Sequence, residues 1–391
     1  MLIGIVGKPN VGKSTFFKAL TLADVEIASR PFTTIKPNRG MAYVRIDCPE
    51  KDFGKKCNPR NSFCINGNRF VPVEIMDVAG LVPGAHKGRG LGNKFLDDLR
   101  QADAFIHIID LSGRTDEEGN PTTNYNPLND IKFLENELDK WFFSIIEKNW
   151  DTFVRRTMIK KGDFAKELAE IMSGLGIKYE HVLGAISSLG LRKEDLSSID
   201  RNKIFELSSE LRRISKPMLI VANKADIKGA DENLRFLENY EVVVCSADIE
   251  LALKEASEKN IISYIPGNND FEIKSEVNDV QKKALEFMRD FLHKNNGSGV
   301  QRAINKIVLD ILGYIVVFPV EDENKLTDKK GNVLPDAFLL PKGSKAIDLA
   351  YAVHTDIGNN FVRAVDCRTK RGIGRDYLLK MGDVIKIYST H

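Results

Sequence analysis

The segment Gly7-Lys8-Pro9-Asn10-Val11-Gly12-Lys13-Ser14 sets two glycines, a lysine and a hydroxyl at the spacing G-x-x-x-x-G-K-[ST]. Such residues at this spacing cradle a polyphosphate. Backbone N–H groups of the loop and of the helix after it converge on the anion, the lysine reaches the outer phosphates, and the hydroxyl ligates Mg²⁺. Lys13 is therefore assigned to the β- and γ-phosphates and Ser14 to Mg²⁺. The cradle as a whole runs from Lys8 through Pro9, Asn10, Val11 and Gly12 to Thr15. It has the required context, directly after the apolar run Leu2–Val6 and before a helical pattern over Thr15–Leu20.

This loop alone selects no base. Asn223-Lys224-Ala225-Asp226, at the end of the apolar run Met218–Ala222, supplies the selection. A carboxylate at its fourth position accepts from both N1–H and the 2-amino group of guanine, whereas adenine has neither donor. Sites built on such bonds reject analogues lacking the donors by about 10⁴-fold in favourable cases. Asn223 is expected to face guanine N7 or brace the phosphate loop, and Lys224 to lie along the base. Farther on, Cys245-Ser246-Ala247-Asp248 ends the run Val242–Cys245 and offers the Ser246-Ala247 backbone to guanine O6, with Asp248 beside it.

Asp77-Val78-Ala79-Gly80 fits D-x-x-G after the run Val71–Met76, so Asp77 is expected to hold Mg²⁺ through water and the Gly80 N–H to sense the γ-phosphate. Upstream, Pro31-Phe32-Thr33-Thr34-Ile35-Lys36-Pro37-Asn38 stands where a threonine must reach Mg²⁺ and the γ-phosphate, and Thr34 is chosen over Thr33. Loss of the γ-phosphate would release both tethers, an order-to-disorder switch. The residue after Gly80 is Leu81, which cannot hold an attacking water as a glutamine there does, so either intrinsic hydrolysis is slow or another group serves. His86 and His107 are the water-positioning candidates, each weighed against a bland alternative: a surface histidine and a satisfied strand histidine. Asn10 either shapes the turn or ligates a K⁺ ion beside the phosphates.

The elements that must position these groups follow from hydrophobic patterning. Short β-branched runs at Leu2–Val6, Val71–Met76, Phe105–Asp110, Met218–Ala222 and Val242–Cys245 read as buried parallel strands. The expected fold class is α/β, a doubly wound, mostly parallel P-loop sheet with an inserted helical domain and a C-terminal β-grasp-like domain. Helical spacing in Ile131–Trp150, Phe164–Ser173, His181–Ser188 and Lys203–Ile214 places the helical insert at residues 113–216, between a nucleotide-binding domain formed by 1–112 and 217–313. Trp141, Phe142, Phe143 and Trp150 are read as its core. Two more helices are expected at Gln281–His293 and Gln301–Leu312, and a strand-rich tail at 314–391 from Tyr314–Val320 onward.

A chain of 391 residues exceeds one hydrophobic core, and a net charge of +2 is too mild to demand a nucleic-acid partner. No stretch approaches a membrane span, so a cytoplasmic protein is expected. The five cysteines make an odd number, which argues for reduced thiols over a secreted disulfide framework. Cys48, Cys57 and Cys64 share one loop and raise the question of zinc; with no C-x-x-C pair and no evident fourth ligand, free thiols are the expectation.

The run Asp77-Val-Ala-Gly-Leu-Val-Pro-Gly-Ala-His-Lys-Gly-Arg-Gly-Leu-Gly-Asn-Lys-Phe-Leu96, with Pro31–Asn38, resembles the Obg-related GTPases, most closely the archaeal members of their YchF branch. The tail, through Leu340–Ser344, Ala346–His354 and Lys380–Ile387, resembles a TGS domain. The resemblance implies a β-grasp tail, a link to ribosomes and translation, and a hydrophobic residue at the glutamine position, which Leu81 matches. Bacterial and eukaryotic members of the branch tend to end the Asn-Lys-x-Asp element in Glu, a variant that goes with ATP; Asp226 departs from it and argues for GTP. Arg155, Arg156, Lys160 and Lys161 on the insert, with Arg368, Lys370, Arg371 and Arg375 in the tail, are candidate RNA contacts. The expectation is a slow, Mg²⁺-dependent GTPase switch acting on ribosomes or RNA, monomeric and with no membrane partner. An ATP-using enzyme and an RNA-binding adaptor with a structural nucleotide are its rivals.

Overall fold

The computed structural model describes residues 1–21, 38–78, 98–159, 163–192 and 199–390. Strand β1 (Leu2–Val6) is buried at every position, as an unbroken apolar run must be when both faces of a sheet are covered. Helix α1 (Lys13–Thr21) follows the phosphate loop and buries Phe16, Ala19 and Leu20. Next come β2 (Arg39–Asp47), the short helix α2 (Glu50–Phe53), β3 (Phe63–Ile65), β4 (Asn68–Asp77) and β5 (Ala104–Asp110). Among the described residues four α-helices then separate β5 from β6: α3 (Leu128–Ile159), α4 (Phe164–Ile171), α5 (Tyr179–Ser188) and α6 (Arg201–Ser215). They lead into β6 (Met218–Asn223), β7 (Val242–Val244) and α7 (Ala247–Glu258).

These strands form a seven-stranded sheet in the order β2-β4-β1-β5-β6-β7, with β3 paired to β4. β4, β1, β5, β6 and β7 run parallel, while β2 and β3 pair antiparallel with β4. One apolar layer joins β1, α1, β5 and the helical segment around residues 300–304. The other is the core of the four-helix insert, in which Trp141, Phe142 and Trp150 are buried and Phe143 packs alongside.

A small β8 (Ile262–Ser263) and β9 (Glu272–Ile273) hairpin precedes α8 (Asp279–Asn295) and α9 (Val300–Asn305), which continues as a π-turn over Lys306–Ile311. The tail is a second sheet of β10 (Tyr314–Val320), β11 (Phe338–Pro341), β12 (Phe361–Asp366), β13 (Arg371–Ile373) and β14 (Val384–Ser389), in the order β11-β10-β14-β12-β13. Its helices are α10 (Ala346–Val353) and α11 (Thr355–Asn359). β10 pairs parallel with β14 while the other pairs are antiparallel, a mixed sheet with a helix across one face. Among the described residues no helix is long and apolar enough to cross a membrane.

Candidate functional site

Parallel strands deliver their C-terminal ends to one edge of the sheet, and the loops that carry chemistry gather there. Residues 7–12 leave β1 at that edge. Gly7 (φ +151°) and Gly12 (φ +92°) adopt backbone conformations that side chains disfavour, and a Cβ on Gly12 would lie 2.3 Å from Asn223 Nδ2. Lys13 Nζ donates to the Lys8 carbonyl at 2.8 Å, which holds the ammonium across the loop. Burial lowers the Lys13 pKa while the charge of Asp77 raises it in part. The Asp77 carboxyl is pushed up by burial, against Lys13 and a hydrogen bond from Ser14, and its Oδ1 is buried with no partner.

Asn223, at the end of β6, acts as a strut. Its Nδ2 donates to the Val11 carbonyl at 2.9 Å and its Oδ1 accepts from the Ala247 N–H at 3.0 Å. Of the two roles expected for it, the structure supports bracing the phosphate loop. Lys224, at φ +61°, places Nζ 2.7 Å from the Asn10 carbonyl and 3.0 Å from Asp110 Oδ2. Burial pushes the Asp110 carboxyl up, but Ser112, Lys224 and Thr115 outweigh it and hold it below the usual range. Asp226 is half-buried, with Oδ1 enclosed and unpartnered. Ala225 N–H donates to the Cys245 carbonyl at 3.1 Å, which brings the two base-binding segments together. The Ser246 hydroxyl caps α7 by accepting from Ile249 N–H, and Asp248 stands exposed at the first turn, its carboxyl pushed up by desolvation and by Asp226.

Some sequence assignments change. Lys8 was placed in the cradle, but its ammonium points into the protein: it donates to the Thr115 carbonyl at 2.8 Å, pairs with Asp130 at 2.9 Å and lies 3.9 Å from the centre of the Tyr125 ring. Only its backbone can serve the phosphates. Asn10 Nδ2 donates to the Gly119 carbonyl at 3.0 Å, so the segment after β5 packs on the phosphate loop. His107 is buried on β5, and burial, with Lys13 and Lys8 nearby, lowers its pKa to about 3. It is a neutral strand histidine. Pro9, Thr15 and Ser14 lie in or beside the loop as expected, while Thr34, Gly80, Leu81 and His86 lie outside the described residues.

Sequence reasoning missed Asp110 and Asp130, which anchor Lys224 and Lys8. Asp110 carried a signal, a carboxylate ending an apolar strand. Asp130 carried none. The basic clusters divide: Arg368 pairs with Asp52 at 2.5 Å and Lys370 binds the Glu323 carbonyl, whereas Arg155, Arg156, Arg371 and Arg375 are exposed and Lys160 and Lys161 lie outside the described residues.

Residues 2–148 match a family described as 50S ribosome-binding GTPase, 221–322 the G4 motif-containing domain of Obg-like GTPases of YGR210 type, and 326–389 the TGS domain. The chain is 54% identical over its full length, and 99% of its relative's, to a GTP-binding protein of Methanocaldococcus jannaschii. It is 29% identical to the ribosome-binding ATPase YchF of Bacillus subtilis, covering 98% of this chain and 97% of that one. The chain belongs to the YchF family. A GTP-binding protein of Pyrococcus horikoshii superposes on this YchF-family chain with a TM-score of 0.80 at 39% identity, each chain covered in full. The YchF GTPase of Schizosaccharomyces pombe shares the fold at 19% identity and a TM-score of 0.59, covering 99% of this chain and 97% of that one. In this YchF-family protein the P-loop domain, the helical insert and the C-terminal TGS domain are those the sequence implied.

Proposed function

We propose that this chain is a guanine-selective nucleotide hydrolase of low intrinsic rate that works as a switch on the ribosome. The observation that carries the base preference is the enclosed, unpartnered Asp226 Oδ1, three residues past the end of β6. A buried carboxylate oxygen without a donor is costly, and guanine's N1–H and 2-amino group supply two.

The residues present fit Mg²⁺: Asp77 Oδ1 is enclosed without a partner, and Ser14 bonds the same carboxylate. Ser14, Asp77 through water and Thr34 would hold the ion, which when bound neutralises charge on the β- and γ-phosphate oxygens. The chain's own contribution is positioning. Loop N–H groups and Lys13 bind the phosphates, Asn223 fixes the loop to the base site, and the Gly80 N–H senses the γ-phosphate. Buried and neutral, His107 is suited to packing and carries no proton to the phosphates at neutral pH. With its amide nitrogen anchored on Gly119, Asn10 has only Oδ1 to offer a K⁺ ion.

Relatives named ribosome-binding ATPase support the ribosomal partner and raise the adenine alternative. Calorimetry with GTP and ATP, with turnover measured with and without ribosomes in K⁺ and in Na⁺, tests the reading. Tight GTP binding with weak ATP binding is expected. Equal affinities would reject guanine selectivity, and failure to co-sediment with ribosomes in every nucleotide state would reject the partner. Full ribosome binding by a folded Lys13→Ala protein that has lost turnover would favour the adaptor.

A further inference from the structure

Cys48 leaves β2, Glu50 opens α2, Cys57 follows that helix and Cys64 sits in the middle of β3. These four residues, from separate elements, bring one ligand atom each to within 4.8 Å of one another. Cys48 and Cys57 Sγ stand 3.8 Å apart, and Cys64 Sγ lies 3.5 Å from Glu50 Oε1. Zinc–sulfur bonds of about 2.3 Å and a zinc–oxygen bond of about 2.0 Å make tetrahedral edges of about 3.8 Å between sulfurs and about 3.5 Å from sulfur to oxygen. A disulfide, at about 2.05 Å, needs a different approach.

Two further observations point to a cation there. Glu50 has no ion-pair partner among the described residues; its Oε2 accepts from Cys57 N–H at 2.7 Å, which fixes the carboxylate and leaves Oε1 toward the thiols. Arg69, paired opposite Cys64 in the β3–β4 ladder, is wholly buried without a carboxylate partner, and one of its terminal nitrogens, Nη1, has no acceptor. A buried guanidinium needs countercharge. With Arg69 opposite Cys64, three thiolates and a carboxylate around a divalent ion would leave two negative charges to balance the guanidinium in part.

We propose that Cys48, Glu50, Cys57 and Cys64 form a tetrahedral structural Zn²⁺ site. Its place in the fold gives it a purpose: Cys48 packs in one apolar cluster with Val71 of β4 and with Val316 and Phe318 of the C-terminal domain. The same knuckle binds that domain through Asn58 N–H to the Val333 carbonyl and Lys55 to the Asn324 carbonyl. The metal would set the shape of the platform on which the C-terminal domain docks.

Full-length protein purified reduced and without chelator is expected to carry about one zinc per chain by elemental mass spectrometry. After metal removal it should take up Co²⁺ with thiolate-to-cobalt charge transfer and tetrahedral d–d bands. Cys57→Ser and Cys64→Ser should lose the zinc, Glu50→Gln should bind it at least about 10-fold more weakly, and Cys367→Ser, outside the cluster, should keep it. Where a serine variant fails to fold, the Co²⁺ titration of the unaltered chain decides. The proposal is overturned if that chain neither retains zinc nor gives the cobalt spectrum, if both serine variants keep full zinc, or if Cys48–Cys57 disulfide is the form isolated under reducing conditions.

Discussion

At position 226 the proposed choice of base rests on one carboxylate, whose Oδ1 is enclosed and unpartnered. Asp226→Asn replaces an acceptor by an amide that donates, so GTP affinity should fall by about 100-fold. Xanthosine triphosphate, with an oxygen where guanine has its 2-amino group, should bind the variant better than it binds the parent; competition calorimetry checks both. His107 gives a second prediction at this scale. Its folded-state pKa lies near 3, below the ordinary 6.5 of an unfolded histidine. Between those values the unfolded chain binds the extra proton, so the stability from this site is full above pH 6.5 and is lost as pH falls toward 3. The slope is at most about 1.4 kcal/mol per pH unit. Urea unfolding of the parent and of His107→Gln between pH 7 and pH 4 should show the smaller slope in the variant.

At the scale of elements, the contact between Lys8 and Asp130 ties the phosphate loop to the first turn of α3, with side chains 3% and 4% exposed. Removing one partner leaves a buried charge alone, so Asp130→Ala should cost about 3–5 kcal/mol in chemical unfolding. It should also weaken nucleotide binding, which Arg213→Ala, at an exposed arginine on α6, should not. The parallel strands were legible because every residue of a run such as Leu2–Val6 is apolar and buried. β2 was not: its buried positions alternate, and Arg39 and Arg45 interrupt the pattern. The first helix of the insert, read from Ile131, begins at Leu128, where Asn126 Oδ1 accepts from its N–H, and the segment before it folds back on the phosphate loop. Composition does not report a partner 107 residues away, as Lys8 is from Thr115. For the same reason Lys8 read as a phosphate ligand and Glu50 did not read as a partner for three cysteines.

At the scale of the molecule, the C-terminal sheet is joined to the nucleotide-binding domain by an apolar cluster and a polar rim. Phe318 is wholly buried in that cluster and lies under the Arg69 guanidinium. Phe318→Ala should cost about 3–5 kcal/mol, and limited proteolysis should then cut first between the two sheets. Arg60, which binds Asp336 across the same seam, is 56% exposed in its side chain, and Arg60→Ala should change unfolding free energy by no more than about 1 kcal/mol. The tail's basic residues divide in the same way: Arg368 crosses the seam to Asp52, Lys370 binds Asn324 within the tail, and Arg371 and Arg375 face solvent.

The anchored end of α3 has a mechanical meaning. At about 1.5 Å per residue its 32 residues make a rod about 48 Å long, pinned by Asp130 in its first turn to the loop that follows β1. A tilt of about 5° at that pivot, which sub-ångström motion of the loop can produce, sweeps the far tip through about 4 Å. The geometry of the arm thus sets the gain: displacement at its tip is many times any displacement at the phosphate loop.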